Sequence, residues 1–446
     1  TGCYNNAFGK RALKSNTTGC YNVAAGNDAM YNNTTGNSNT ASGYYALGKN
    51  TTGHSNAAAG HMAMTKNTTG HSNVAIGLQT MGCNTTAAYN TAVGVCAMFC
   101  NTGTGMAMEA FGFRALHSNT TGSCNMGMGF CALYSNTSGC FNTASGYRAL
   151  ATNTTGCNNA SYGSCSLAAN TTGCYNTAVG WKSMACNATG NQNTGSGAYS
   201  LMKTTSGNYN TAFGYSSALN NTTGVNNTAV GRTSLYTNTT GLANTAIGME
   251  ALYSNTTASY NTAVGWCALN ANTTASYNTA VGQSSLQKNT TGCQNTAHGF
   301  AALCKTTTGS DNTASGSGAL HSNTTGAKNT AVGKGAMYNN TSSNYNVAVG
   351  LQALFANTTG VQNTASGAYS MYDNTCGSYN VAYGLNALAN NTTGCANTAI
   401  GNKALETNTS GHRNVAIGCL AGTTMSGSDN TFVGTEAGRY TSSGKC

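Results

Sequence analysis

Asparagines at one fixed place in a repeating pattern carry the most specific chemical signal in the sequence, the N-x-[ST] triplet that accepts N-linked glycans. They recur at a nearly constant spacing of 17 residues. In a secretory pathway the attached sugars would help to keep in solution a chain with only 18 basic and 8 acidic residues. The predicted glycosylation sites are Asn16, Asn33, Asn50, Asn67, Asn84, Asn119, Asn136, Asn153, Asn170, Asn187, Asn221, Asn238, Asn255, Asn272, Asn289, Asn323, Asn340, Asn357, Asn391 and Asn408.

The same asparagines have a second interpretation, a ladder in which side-chain amides stack from one repeat to the next. A second set of asparagines, such as Asn261, keeps the same spacing but is followed by Thr-Ala and is therefore no acceptor. Acceptors in adjacent strands would lie only about 4.8 Å apart, which would crowd their sugars. The sequence leaves glycosylation and the ladder open as alternatives.

Nineteen cysteines raise the question of disulfides, which are rare in cytosolic proteins. Several of them recur one repeat apart, a separation that falls within the roughly 4.4 to 6.8 Å Cα distance of a disulfide if the repeats stack. We expect Cys267 and Cys304 to be isolated thiols. The disulfide candidates are Cys3 with Cys20, Cys83 with Cys100, and the row Cys140, Cys157 and Cys174.

Other reactive groups give little support for catalysis or for a metal site. His54 and His71 lie one repeat apart but have no neighbouring carboxylates, and no CxxC pair suggests zinc. No paired carboxylates and no Ser/His/Asp arrangement can be argued from the sequence. We therefore expect no catalytic residues, no metal and no cofactor. The net charge of +10 is spread without a basic run, which argues against nucleic-acid binding.

All of these residues belong to one 17-residue repeat that occurs 26 times. Written from its first asparagine, the repeat is N-T-A-V-G-x-x-A-L-x-x-N-T-T-G-x-x, and we number its positions as columns 1 to 17. Column 5 is glycine in every copy, and column 9 is Leu or Met in all but three. The step is 18 residues from Asn90 to Met108 and 16 residues from Asn414 to Asn430.

The period and the composition predict an all-β fold, a parallel β-solenoid (β-roll) of about 26 coils with 17 residues per coil. We expect NTAVG to form one strand, the A-L segment a second short strand, and NTTG a turn whose glycine is left-handed. Stacked coils would form a rod of roughly 120 Å. Glycine, Asn and Thr disfavour helix, the absence of proline excludes collagen, and the scarcity of charge excludes charged disordered tails. We predict a continuous solenoid over 1–434 and a terminal or continuing segment over 435–446.

The strand alternation decides which side chains face the interior. Column 4 contains Ala25, Phe111, Ser196 and Tyr383, a range of sizes that one packed core position cannot accept. We therefore expect columns 3 and 5 to face inward and column 4 to form an outward apolar row. Because long apolar rows are seldom left exposed, this row predicts lateral contact with other copies of the chain.

The repeats at Asn73 and Asn414, both NVAIG, resemble the SVAIG-type repeats of trimeric autotransporter adhesin heads, which are left-handed parallel β-rolls. The full unit is similar to repeat tracts of tail-fibre-like proteins of phages and algal viruses. The resemblance covers nearly the whole chain and implies attachment or surface-fibre roles.

These observations favour a non-enzymatic extracellular structural or adhesive fibre, with a location on a cell-surface or virion appendage. An ice-binding solenoid is the alternative, because Thr17, Thr18 and their copies form two threonine columns. Aromatic residues before the first asparagine, such as Tyr260 and Tyr277, stack on sugars or pack between coils. Both ends stop within the pattern, which predicts end-to-end continuation. No apolar stretch approaches the roughly 20 residues of a membrane span.

Overall fold

A computed structural model describes residues 2–441. Thr1 and residues 442–446 of the predicted terminal segment lie outside the described residues. The chain divides into two compact units, Thr1–Val225 and Asn226–Cys446, and each is built from three-residue strands. Within residues 2–441, no helix has the length and apolar character that crossing a membrane requires.

The first unit contains thirteen strands. They are β1 (Asn6–Phe8), β2 (Val23–Ala25), β3 (Thr40–Ser42), β4 (Ala57–Ala59), β5 (Val74–Ile76), β6 (Thr91–Val93), β7 (Glu109–Phe111), β8 (Met126–Met128), β9 (Thr143–Ser145), β10 (Ala160–Tyr162), β11 (Thr177–Val179), β12 (Thr194–Ser196) and β13 (Thr211–Phe213).

The second unit also contains thirteen strands. They are β14 (Thr228–Val230), β15 (Thr245–Ile247), β16 (Thr262–Val264), β17 (Thr279–Val281), β18 (Thr296–His298), β19 (Thr313–Ser315), β20 (Thr330–Val332), β21 (Val347–Val349), β22 (Thr364–Ser366), β23 (Val381–Tyr383), β24 (Thr398–Ile400), β25 (Val415–Ile417) and β26 (Thr431–Val433).

Within each unit every strand pairs in parallel with the next strand of the chain. The register follows the repeat, so that Ala263 of β16 lies opposite Ala280 of β17. The irregular steps are absorbed outside the strands, since β6 and β7 still pair Ala92 with Ala110. The predicted all-β, parallel β-solenoid is confirmed. We number the coils 1 to 26 after their strands.

The interior of each coil is narrow and lined by small residues. In coil 16, Ala263, Ala268 and Leu269 of columns 3, 8 and 9 are fully buried. Column 4 points outward, and Ile247 and Val349 are 39% and 41% exposed. The predicted choice of the inward face is therefore confirmed. Column 8 is Ala, Ser or Thr in all coils, which keeps the opposite walls close together.

The predicted second strand at the A-L segment is wrong, because columns 6 to 11 form turns. Ala268 and Leu269 are adjacent and both buried, whereas successive side chains of a strand point to opposite faces. The chain achieves this with left-handed residues at columns 7 and 9, where Cys267 has φ 54° and Leu269 φ 50°. Their amides still bond to neighbouring coils, from Cys267 to Met249 O and from Leu269 to Ser285 O, both at 3.0 Å.

The left-handed glycine was also predicted in the wrong column. Column 5 has positive φ throughout, as at Gly350 with φ 138°, whereas the column 15 glycine of NTTG, such as Gly360, does not. Column 15 glycine serves close approach instead, because a Cβ on Gly360 would overlap the carbonyl oxygen of Gly377 and approach Asn357 Oδ1. The two glycine columns therefore have different physical causes.

The last coil departs from the repeat in a correlated way. Phe432 replaces the small residue of column 3, and column 9 is glycine at Gly422 and Gly438. A Cβ on either glycine would collide with the Phe432 ring, which is 7% exposed. The ring therefore fills the interior where leucine is missing. Residues 435–441 still stack on coil 25, with Glu436 N 2.8 Å from Cys419 O.

We predict that Gly350→Ala weakens coil 21 far more than Gly360→Ala does. Alanine at position 350 would need a positive φ and would place its Cβ 2.6 Å from both the carbonyl carbon and oxygen of Gly367. Such backbone strain costs roughly 1 to 3 kcal/mol before the steric overlap is added. The measurement is amide hydrogen exchange in the coils around residue 350, together with the thermal midpoint.

Gly360→Ala is the matched control in the same coil, because column 15 already accepts alanine at Ala87, Ala258 and Ala275, which are nearly fully buried. Equal losses of protection in the two variants would contradict the distinction between the two glycine columns.

Candidate functional site

The asparagines of column 1 form a continuous buried ladder in most coils. At Asn363 the backbone N–H and Nδ2 both donate to Asn346 Oδ1, at 2.9 and 3.2 Å. The second Nδ2 hydrogen is donated to the carbonyl oxygen of Gly377 at 2.8 Å. Asn380 in turn donates to Asn363 Oδ1 from its backbone and its amide. Each side chain therefore joins three successive coils.

The asparagines of column 12 form a second ladder beside the first. Asn374 Nδ2 donates to Asn357 Oδ1 at 2.9 Å and to Gly377 O at 3.0 Å. The Gly377 carbonyl therefore accepts hydrogen bonds from both ladders, through Asn363 and Asn374. A Cβ at column 15 would press against these atoms, which explains the glycine preference of NTTG.

The ladder is the interpretation of column 12 that the structure shows. Of the twenty predicted glycosylation sites, nineteen are fully buried, and Asn16 in the first coil is half-buried. In a representative coil, both Nδ2 hydrogens of Asn33 are donated, to Asn16 Oδ1 and to Gly36 O. A glycan would replace one of these hydrogens in a space closed to solvent. Glycosylation stays a prediction, and the geometry opposes it in a folded coil.

The predicted disulfides are not formed. In the row Cys140, Cys157 and Cys174, the backbone N–H of each of the first two residues donates to the next Sγ at 3.1 Å. Cys3 N and Cys20 Sγ make the same contact. No disulfide links these residues, and none joins Cys83 to Cys100.

Column 16 requires a hydrogen-bond acceptor and not a second thiol, which is why the disulfide prediction is wrong. Ser276 Oγ and Asn37 Oδ1 accept from the preceding coil in the same way as cysteine sulfur. In a parallel, in-register stack the Cβ vectors run side by side instead of converging, as a disulfide would need. Burial raises the pKa of Cys157 and of Cys100, which further lowers the reactivity of these thiols.

Cys267 and Cys304 stand apart from other cysteines of the chain. Cys267 is buried, and this burial, followed by its contact with Glu250, raises its pKa to about 11. Its Sγ lies 3.5 Å from Glu250 Oε2. Burial also raises the pKa of Cys304, whose Sγ lies 3.7 Å from Gln287 Oε1. Neither thiol has the lowered pKa of a nucleophile.

His54 and His71 are brought together as a stacked pair and not as metal ligands. Their ring centroids are 4.6 Å apart and the planes differ by 7°. The Nδ1 atoms lie near the hydroxyls of Ser55 and Ser72. In residues 2–441 no group of three His, Cys, Asp or Glu side chains is arranged to hold a metal ion.

Aromatic residues pack from coil to coil. Tyr260 and Tyr277 of column 17 stack with ring centroids 5.2 Å apart. Sequence reasoning missed two further rows, in columns 6 and 10, although the aromatic residues recur there at 17-residue spacing. Column 6 contains the stack Phe113, Phe130 and Tyr147. Column 10 contains Phe99, His117 and Tyr134 in the first unit, and His321, Tyr338, Phe355 and Tyr372 in the second.

Between columns 6 and 10 the surface of each unit has an open groove. The groove of the first unit has a volume of about 280 Å³ and lies beside Cys131. The groove of the second unit, about 400 Å³, lies over Gly318 and Gly335. Burial lowers the pKa of the column 10 histidines His117 and His321, so both rings favour the neutral form.

Comparisons with known proteins give no family for this chain. No family model matches it. No curated protein matches it either. The resemblance to adhesin heads and tail-fibre repeats therefore stays a prediction beyond the β-solenoid itself.

We predict that Asn363→Ala destabilises coils 21 to 23 by about 2 kcal/mol or more. The change removes an acceptor from Asn380 and a donor from Gly377 O and Asn346 Oδ1, and each buried group left unpaired costs about 1 to 3 kcal/mol. Site-resolved hydrogen exchange measures the effect.

Thr364→Ala, at the next residue on the outward face, is the control and should change protection by less than about 0.5 kcal/mol. The ladder would not contribute to stability if Asn363→Ala behaved like this control.

Proposed function

We propose that the chain is a non-enzymatic structural protein whose outward strand face associates side by side with a second copy. The observation that carries this proposal is the composition of the face made by columns 2 and 4. Its 52 positions contain one charged residue, Glu109, and no lysine or arginine. The other charges of the chain lie in other columns.

The face offers rows of side chains that are exposed without being needed for folding. Val332, Val349 and Ile400 are 39%, 41% and 39% exposed, while the alanines between columns 2 and 4 are buried. Burying one such side chain fully is worth roughly 1.5 to 3 kcal/mol. A row of ten half-exposed residues therefore exceeds the low end of the 4 to 15 kcal/mol estimated for lost freedom on association.

A second copy is the partner whose geometry fits best. Every strand repeats at about 4.8 Å, and the only surface certain to share this period is the same face of another chain. Small residues such as Ser315 alternate with large ones such as Val332, so that two faces can interdigitate as in packed parallel sheets. Such a contact leaves no unmatched charges at its centre.

The extracellular or virion-surface location and the adhesive role are further parts of the proposal. They are supported by the resemblance to adhesin and tail-fibre repeats and by the low charge. The thiols of column 16 do not add to this support, since they form no disulfides. End-to-end association of copies into a filament is proposed on the repeat pattern alone.

Ice binding is a weaker candidate, because the threonine columns first considered for it are partly used by the fold. Thr273 Oγ1 of column 13 donates to the carbonyl oxygen of Thr290 at 3.1 Å, and other coils repeat this contact. Columns 2 and 4 do present Thr262 and Val264 side by side on the outward face. A monomer that produces thermal hysteresis would favour this candidate over self-association.

We predict that the double variant Val332→Lys with Val349→Lys remains folded and loses lateral association. Both side chains point outward, so that the charges enter water in the monomer but would be buried in the assembly. Sedimentation velocity and electron microscopy measure the association, and circular dichroism measures the fold.

Thr325→Lys with Thr359→Lys adds the same charge at exposed positions of column 14 and serves as the control. Assembly of the Val332 and Val349 variant at the level of this control, or a wild type that is monomeric at high concentration, would contradict the proposed association.

A further inference from the structure

The groove of the first unit lies between the two aromatic rows of coils 7 to 9. Its walls are Phe130 and Tyr147 of column 6 and Tyr134 of column 10, and Cys131 lies between Arg114 and Arg148 of column 7. The rows are well stacked, with centroids 5.4 Å apart between Phe130 and Tyr147. The groove is therefore formed by side chains that their neighbours already hold in place.

Its two arginines are the exceptions among the arginines of the chain. The other four each form an ion pair, in the pairs Arg11–Asp28, Arg232–Glu250, Arg413–Asp429 and Arg439–Glu436. In residues 2–441 neither Arg114 nor Arg148 has a carboxylate partner, and no acidic residue lines the groove. Two guanidinium groups thus face one groove without a counter-charge.

Both arginines act electrostatically on the same point. Burial raises the pKa of Cys131, and the charges of Arg114 and Arg148 each oppose this shift. Arg114 also lowers the pKa of His117, after the larger effect of burial. The two positive groups therefore converge on the centre of the groove and do not extend separately into solvent.

The aromatic row of column 10 stops inside this groove. Phe99, His117 and Tyr134 stack at centroid distances of 5.5 and 5.0 Å, but the next residue of the column is the buried Ala151. The face of Tyr134 directed toward coil 9 is therefore not covered by a ring of the chain. A flat group placed over Ala151 would continue the stack.

We propose that this groove binds a uronic acid residue of an acidic polysaccharide. The sugar ring lies over Ala151 against the open face of Tyr134, and its carboxylate pairs with Arg148 and Arg114. Arginine suits this role because its planar fork binds carboxylates through two hydrogen bonds. The hydroxyls of Ser135 and Tyr147 line the same groove and are available to the sugar hydroxyls.

The position of the anion favours a uronate over a nucleotide. Arg148 precedes Ala151 by three residues in the same coil, so that the bound ring and its negative group must be adjacent. A uronate carries the carboxylate directly on its ring, whereas a nucleotide separates the base from the phosphate by a ribose. The groove is also open to solvent at its surface, which admits an internal residue of a longer chain.

The test is binding of oligogalacturonate to the full chain at about 0.1 M salt, followed by titration calorimetry. Wild type should bind it, and neutral galactose oligomers of equal length and a single-stranded oligonucleotide should not bind. Arg114→Gln with Arg148→Gln should weaken binding by roughly tenfold for each charge-assisted contact. Ala151→Tyr should also abolish binding, because tyrosine at column 10 would complete the stack and fill the ring position.

Lys182→Gln with Lys203→Gln removes the same charge from coils 11 and 12 and is the control. Tyrosine occurs in column 10 at Tyr236 and Tyr253, so Ala151→Tyr should fold, which circular dichroism verifies. The proposal is overturned if wild type does not bind oligogalacturonate, if the oligonucleotide binds better, or if the lysine control loses as much affinity. Full binding by Ala151→Tyr would equally overturn it.

Discussion

The structure depends on one carbonyl oxygen per coil, that of column 15, which accepts hydrogen bonds from two asparagine side chains. At Gly377 these donors are Asn363 and Asn374, and each of them also bonds to the asparagine of the preceding coil. Buried amides must be paired, because an unpaired buried polar group costs about 1 to 3 kcal/mol. A coil therefore has its full set of side-chain bonds only when neighbouring coils are in register, and the 17-residue period is enforced from the inside.

Much of the composition follows from this constraint. The interior is occupied by amides and by alanine, so that a coil needs only one larger apolar residue, at column 9. Close stacking requires glycine at column 5, where φ is positive, and favours it at column 15, where a side chain would crowd the ladders. Charges are confined to outward columns, and thiols, hydroxyls and amides are interchangeable at column 16 because each accepts the same backbone hydrogen bond. The outward strand face is left free of folding duties, which makes it available to a partner.

The repeat, the parallel stack and the inward face could be predicted from the sequence, because columns can be compared within a single chain. Column 4 showed its outward direction by accepting Ala25 and Tyr383 alike. The turn at Ala268 and Leu269 could not be predicted, since adjacent apolar residues fit a short strand until left-handed φ values at columns 7 and 9 are known. Glycosylation and the ladder use the same asparagine, and only burial separates them. The groove was missed because Arg114, Tyr134 and Arg148 are related by position across coils and form no sequence motif.

Side-chain amide hydrogen exchange tests the role of the asparagine ladders most directly. The protein would be labelled with ¹⁵N only in asparagine, and exchange of the Nδ2 hydrogens would be followed by NMR. Our account predicts that asparagines of columns 1 and 12 in interior coils, such as Asn363 and Asn374, exchange as slowly as the backbone amides of the adjacent strands. Outward asparagines such as Asn402 should exchange rapidly. Exchange of the ladder amides at the rate of exposed side chains would contradict the claim that they hold the coils together.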